Sequence, residues 1–325
     1  MDERKPSHYL ALSGGVGGAK LALGLSKILS SEELTIVANT GDDFQHLGLT
    51  VCPDIDSLLY SLSETNNTEL GWGQKGETWN FLEALEKLGG DSWFKLGDRD
   101  LATHILRSEK LKEGLSLTEV TKLLSRKMNI AHSILPMTDD QVRTVVDCVS
   151  VGALNFQNYF VKERCKPEVR SIYFSGIEKA SLNPDLDRII SRGLSGVILC
   201  PSNPFLSIDP ILSVNGFVDR IKTSDLPVVA VSNIIDGQAI KGPAAKMMKE
   251  FNIPQSVIGV ARYYGENYPD LVSHFVLDKK DAHLEKEVCE LGFSTLVTET
   301  MMTSLEHKID LAKELIRFLA EALVR

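Results

Sequence analysis

Leu12-Ser13-Gly14-Gly15-Val16-Gly17-Gly18-Ala19-Lys20 is the stretch on which the fold turns. Residues 8–12 ahead of it are mostly apolar and predict a short buried strand. Residues 19–29 behind it carry Leu21, Leu23, Leu25 and Ile28 and predict a helix. A second apolar run, 34–38, ends at Asn39-Thr40-Gly41. Strand, glycine turn, helix and strand within about 30 residues form the parallel βαβ unit.

Working outward, strand-like runs recur at 169–174, 196–200 and 228–232, each followed by a loop and helical sequence. That alternation predicts an α/β fold, a Rossmann-like, doubly wound, mostly parallel sheet. The region between is different. Ser116-Leu117-Thr118-Glu119 matches a capping box opening a helix over 118–127, and 143–149 alternates loosely as a strand would. The expected organisation is a core of 1–61 and 166–325 with a mainly helical insertion or lid over 62–165. Helically spaced apolar residues over 304–324 predict a packed last helix.

Lys plus Arg is 35 and Asp plus Glu is 44, a net charge of −9. Such a chain is poorly suited to a broad nucleic-acid surface. The five cysteines are scattered without a C-x-x-C pair, which argues against a zinc site or a disulfide framework. The opening residues do not read as a signal peptide, and no run reaches the roughly 18 apolar residues that span a bilayer. A cytoplasmic location is expected.

The glycine turn suits a phosphate, since glycines let backbone N–H groups approach an anion at a helix N-terminus. It fits neither standard pattern. Lys20 stands where a dinucleotide fingerprint needs its third glycine, and Ala19-Lys20-Leu21 stands where a P-loop needs Gly-Lys-Ser/Thr. A tight turn without ligand is the plainer reading. Asp42, Asp43, Asp54 and Asp56 follow the second strand within fifteen residues. Carboxylates in the first turn of a helix opened by Pro53 serve its dipole. Grouped beside a phosphate cradle, they also suit Mg2+, which takes one or two carboxylates plus phosphate oxygens. Lys95–His104 packs five ionisable residues around Gly97. Arg99 between two aspartates can present a planar fork to a phosphate, carboxylate or heterocycle, or the run is a solvated loop. Trp72 and Trp79 could stack on a flat ring or fill a core. Pro201-Ser202-Asn203-Pro204 and Ser232-Asn233 lie at strand ends, where loops carry ligands or simply turn.

The order of these motifs resembles the 2-phospho-L-lactate transferase family of deazaflavin coenzyme biosynthesis. It rests on SGGVGGAKL at 13–21, NTGDD at 39–43, CPDID at 52–56, GWGQKGETW at 71–79 and LGDRDLATH at 96–104. LPMTDD at 135–140, PSNP at 201–204, ILSVNG at 211–216 and KGPAAKMM at 241–248 continue it. The resemblance implies an Mg2+-dependent transfer of a phosphorylated three-carbon acid from its guanosine diphosphate conjugate to a deazaflavin, releasing GMP. It implies that Asp56 and Arg99 contact the deazaflavin, with Asp56 a candidate base. Gly14, Gly15, Gly17, Gly18, Ser202 and Asn203 would hold the nucleotide. Asp43 and Asp54 would hold the metal, with Asp42 in reserve. A homodimer binding small molecules is expected. Phospholactate, phosphoenolpyruvate and a phosphoglycerate stay open as donors. The competing classes are a non-catalytic nucleotide-binding regulator of the same fold and, disfavoured by Lys20, a nicotinamide dehydrogenase.

Overall fold

The structure is a computed structural model that describes residues 7–239 and 242–323. Lys241, the first residue of the KGPAAKMM motif, and the expected end of the last helix at 324 lie outside them. Seven strands form the main sheet: β1 (Tyr9–Ser13), β2 (Leu34–Ala38), β3 (Ser133–Pro136), β4 (Gly196–Leu199), β5 (Val228–Val231), β6 (His274–Asp278) and β7 (Ser294–Thr298). Their order is β7-β6-β5-β4-β1-β2-β3, and every pair is parallel. Because β1 is apolar from Tyr9 to Leu12, it buries both faces, as central parallel strands do. Leu10 and Leu12 enter one core with Phe205 and Phe217, while Tyr9 and Ala11 enter the other with Ile55 and Leu315.

The helix after β1 is Gly15–Ser26, so the glycines themselves make its first turn. The expected start at 19 is corrected, and the cause is packing. A Cβ at Gly17 would stand 2.4 Å from the Pro201 carbonyl oxygen, so the helix begins where only glycine fits beside the β4 loop. Pro53 opens the helix Pro53–Leu62, its fixed φ suiting the first position.

Two assignments change. Val169–Ser175 does not join the main sheet; it pairs antiparallel with Arg143–Cys148 in a separate three-stranded sheet completed by Gly152–Asn155. Conversely, β3, placed by sequence within the insertion, pairs with β2. The helical excursion therefore occupies about 63–132, with helices Asn80–Lys87, Asp98–Lys112 and Leu117–Lys127. The capping box at Ser116 and Glu119 is present in full, and the last helix is Leu305–Ala322. Among the described residues, no helix is long and apolar enough to cross a membrane.

Candidate functional site

Strand order reverses between β1 and β4: β2 and β3 lie on one side, β4 to β7 on the other. Crevices outside the carboxyl ends of strands at such a reversal are where open α/β sheets bind ligands. Here the glycine turn after β1 meets the loop after β4. Ser202 Oγ accepts from Gly14 N–H at 3.1 Å and donates to the Gly14 carbonyl at 2.8 Å. Gly18, in the same first turn, would place a Cβ 2.4 Å from Ser13 Oγ. Gly15 is at φ +61, with open space where a side chain would stand, so the helix N-terminus faces outward at that point.

Asp54 ties the next loop in. Its Oδ1 accepts from Gly15 N–H at 2.6 Å and its Oδ2 from Asn39 Nδ2 at 2.9 Å. The N–H groups of Val16 and Gly17 remain without a helical acceptor, as at any helix start. Burial raises the Asp54 carboxyl to about 6, against those two hydrogen bonds. Burial, joined by the Asp54 charge, drives Asp42 well up. Burial also pushes Asp43 to about 7, although Arg143 and Arg107 oppose it.

Unmet hydrogen bonding is concentrated at this edge. Ser13 Oγ at the end of β1, Thr40 Oγ1, Asp42 Oδ1 and Asp43 Oδ1 after β2, Asn203 Nδ2 after β4 and Asn233 Oδ1 after β5 are all buried without a partner. Asn203 spends its own oxygen on the N–H groups of Phe205 and Leu206, which leaves the amide nitrogen as a donor. Buried polar atoms are normally paired, so six orphans on four adjacent strand ends mark a place suited to a polar guest. Among the described residues, no three His, Cys, Asp or Glu side chains form a metal cage. Two carboxylate oxygens without partners nonetheless fit a magnesium ion that completes its shell with phosphate and water.

Asp56 and Arg99 are placed differently. Both Asp56 oxygens receive the guanidinium of Arg107, which is 0% exposed. His104 Nδ1 lies 3.7 Å from Asp56 and its Nε2 3.2 Å from Asp100, whose carboxylate also accepts from Tyr60. Burial pushes Asp100 up, but His104, Tyr60 and Arg107 together bring it below the usual range. Arg107 was missed by sequence. Its signal was the spacing Asp100, Thr103, His104, Arg107, one face of a helix drawn in polar residues. Arg99 is exposed; its Nη1 donates to the Lys75 carbonyl at 3.1 Å. Trp72 and Trp79 pack edge to face on each other at 6.1 Å.

The family model described as 2-phospho-L-lactate transferase CofD matches residues 10–310. The chain is 38% identical to a 2-phospho-L-lactate transferase of Methanosarcina mazei over 304 residues, covering 94% of this chain and 98% of that protein. It is 35% identical over 309 residues to a phosphoenolpyruvate transferase of Kitasatospora aureofaciens, covering 94% and 95%. A crystal structure of a UPF0052 family member from Bacillus halodurans superposes with a TM-score of 0.65 over 96% of this chain and 99% of that one, at 13% identity, a likeness of fold. With a family match over nearly its whole length, the chain belongs to the 2-phospho-L-lactate transferase CofD family.

Proposed function

We propose that this protein transfers a phosphorylated three-carbon acid, 2-phospholactate or phosphoenolpyruvate, from its guanosine diphosphate conjugate to 7,8-didemethyl-8-hydroxy-5-deazariboflavin. The observation that carries the reading is the set of six unpartnered buried polar atoms at the strand ends from which the glycine-rich helix starts. A diphosphate supplies acceptors for Ser13, Asn203 and the helix N–H groups, and the helix end favours its charge. Family membership gives the transfer chemistry; the nucleotide and the acceptor are our reading.

In the step itself, an acceptor hydroxyl oxygen forms a bond to the substituted phosphorus. The phosphorus–oxygen bond to GMP breaks, GMP keeps the electron pair, and the hydroxyl proton is released. Phosphoryl transfer asks mainly for in-line positioning and charge neutralisation. Mg2+ would supply that neutralisation. Asp43 and Asp42 would hold it, since Asp54 already accepts from Gly15 and Asn39. Asp56, its oxygens taken by Arg107, serves better as a positioning residue than as a base. Arg99 remains the contact for the acceptor, with its guanidinium at the surface.

The test is GMP release by purified protein given Mg2+, the deazaflavin and each guanylylated donor in turn, followed chromatographically. One donor is expected to work. Silence with phospholactate, phosphoenolpyruvate and phosphoglycerate donors alike would end the proposal.

A further inference from the structure

The strand Arg143–Cys148 of the smaller sheet starts at the strand-end rim. Thr144 N–H donates to the Gly41 carbonyl at 2.7 Å, which fastens this strand to the Asn39–Asp43 loop after β2. Thr144 and Val146 turn inward, at 1% and 0% exposure. Side chains alternate along a strand, so Arg143 stands on the opposite face, half-buried. The carboxylates just before it in the chain have other partners: Asp139 Oδ1 accepts from Thr118 N–H at 2.7 Å, and Asp140 Oδ2 from Ser181 N–H at 2.8 Å. Arg143 Nη1 donates to the Val142 carbonyl at 2.6 Å, and among the described residues no carboxylate pairs with the guanidinium. Burial raises Asp43 to about 7, and of the two guanidinium charges that oppose it, Arg143 acts more strongly than Arg107. Arg107 is already engaged by Asp56. In a chain with 44 acidic side chains against 35 basic ones, a half-buried arginine beside the site with no carboxylate of its own is open to one from outside. Its planar fork suits a carboxylate, through two parallel N–H bonds.

Position along the rim says which oxyanion meets it. The glycine helix and Asn203 follow β1 and β4, on one side of Asp42 and Asp43. Arg143 follows β3, on the other side. Neighbouring strands lie about 4.8 Å apart, so the step from β1 to β3 is about 10 Å. A diphosphate at the helix N-terminus, neutralised by a metal at Asp42 and Asp43, leaves its appended group on the β3 side. Phospholactate, phosphoenolpyruvate and phosphoglycerate all carry a carboxylate there, a charge that neither the helix nor the metal neutralises.

We infer that Arg143 binds the carboxylate of the transferred three-carbon acid and so selects donors that carry one. The inference rests on the transferase reading for the donor. The experiment is calorimetric titration of the full chain with Mg2+ and no acceptor. The ligands are GDP, guanylylated phospholactate and phosphoenolpyruvate, and the isopropyl and isopropenyl esters of GDP, in which a methyl group replaces the carboxylate. Wild-type protein is expected to bind a carboxylated donor at least about tenfold more tightly than its ester. Arg143→Gln should erase that preference and leave GDP binding unchanged, and Arg143→Lys, a charge without the fork, should restore part of it. Equal binding of acid and ester by the wild-type protein overturns the inference, whether or not a variant folds. So does an Arg143→Gln protein that keeps the preference, or one that loses GDP and donor alike; each of these leaves the transferase standing. A preference that Arg143→Gln erases, in a protein that never releases GMP once the deazaflavin is added, keeps the carboxylate site and removes the transferase. A wild-type protein that binds no guanylylated ligand overturns both.

Discussion

Asp43 and Asp56 are buried to the same depth, 4% and 5% exposed, and burial is met in opposite ways. Asp56 has a guanidinium on both oxygens, with a histidine beside it. Asp43 keeps one oxygen with no partner, and its carboxyl rises to about 7 because burial outweighs the nearby arginines. The first carboxylate has both oxygens engaged in a tie between two helices. The second is an open valence at a strand end. Residue type and burial alone do not tell these two carboxylates apart; the partners of their oxygens do.

The contrast breaks most readily at Asp56. Asp56→Ala leaves Arg107 charged and alone in the interior, and is expected to cost about 3–5 kcal/mol in urea unfolding. Pairing it with Arg107→Met should return much of that loss. A single-variant cost below about 1 kcal/mol would mean that the tie is not what holds the two helices.

Asp43→Asn should do the reverse. Folding is kept, while kcat falls on the order of 10²–10³, the usual consequence of removing one electrostatic group from a phosphate or oxyanion site. An unaltered rate with an unaltered Mg2+ requirement would place Asp43 outside the site.

A smaller effect sharpens the middle case. Asp209 is buried like the others, and burial raises its carboxyl to about 7 even though Tyr263 and Tyr268 donate to it. A folded pKa above the unfolded value of 3.8 means that the folded chain holds the extra proton between the two. Stability attributable to Asp209 is therefore complete below about pH 4 and is lost as pH rises toward and past 7, by on the order of 4 kcal/mol. Asp209→Asn should make the fall of stability over that interval shallower. Identical slopes in denaturant melts of the two proteins would refute it.

The strand-end edge was legible in the sequence because its signals are local. SGGVGG and NTGDD each follow an apolar run directly, and turn chemistry at a strand end is a short-range pattern. The Arg107–Asp56 tie was not legible, since its partners are 51 positions apart and no periodicity links one helix to another. The run 169–174 looked like a core strand because alternation shows that a strand exists but not what it pairs with. β3 was hidden for the opposite reason. Only four residues long, it sits after a long helical stretch that predicts more of the same. The tryptophans were ambiguous in sequence, and they turned out to pack on each other.

All seven strands of the main sheet run the same way, so the molecule has a working rim and an idle one. Connections that return to the starting ends of the strands, such as those near residues 30–33 and 225–227, hold none of the groups discussed above. Those returns are where an affinity tag or a fluorescent module can be spliced in without crossing the rim that carries the candidate site.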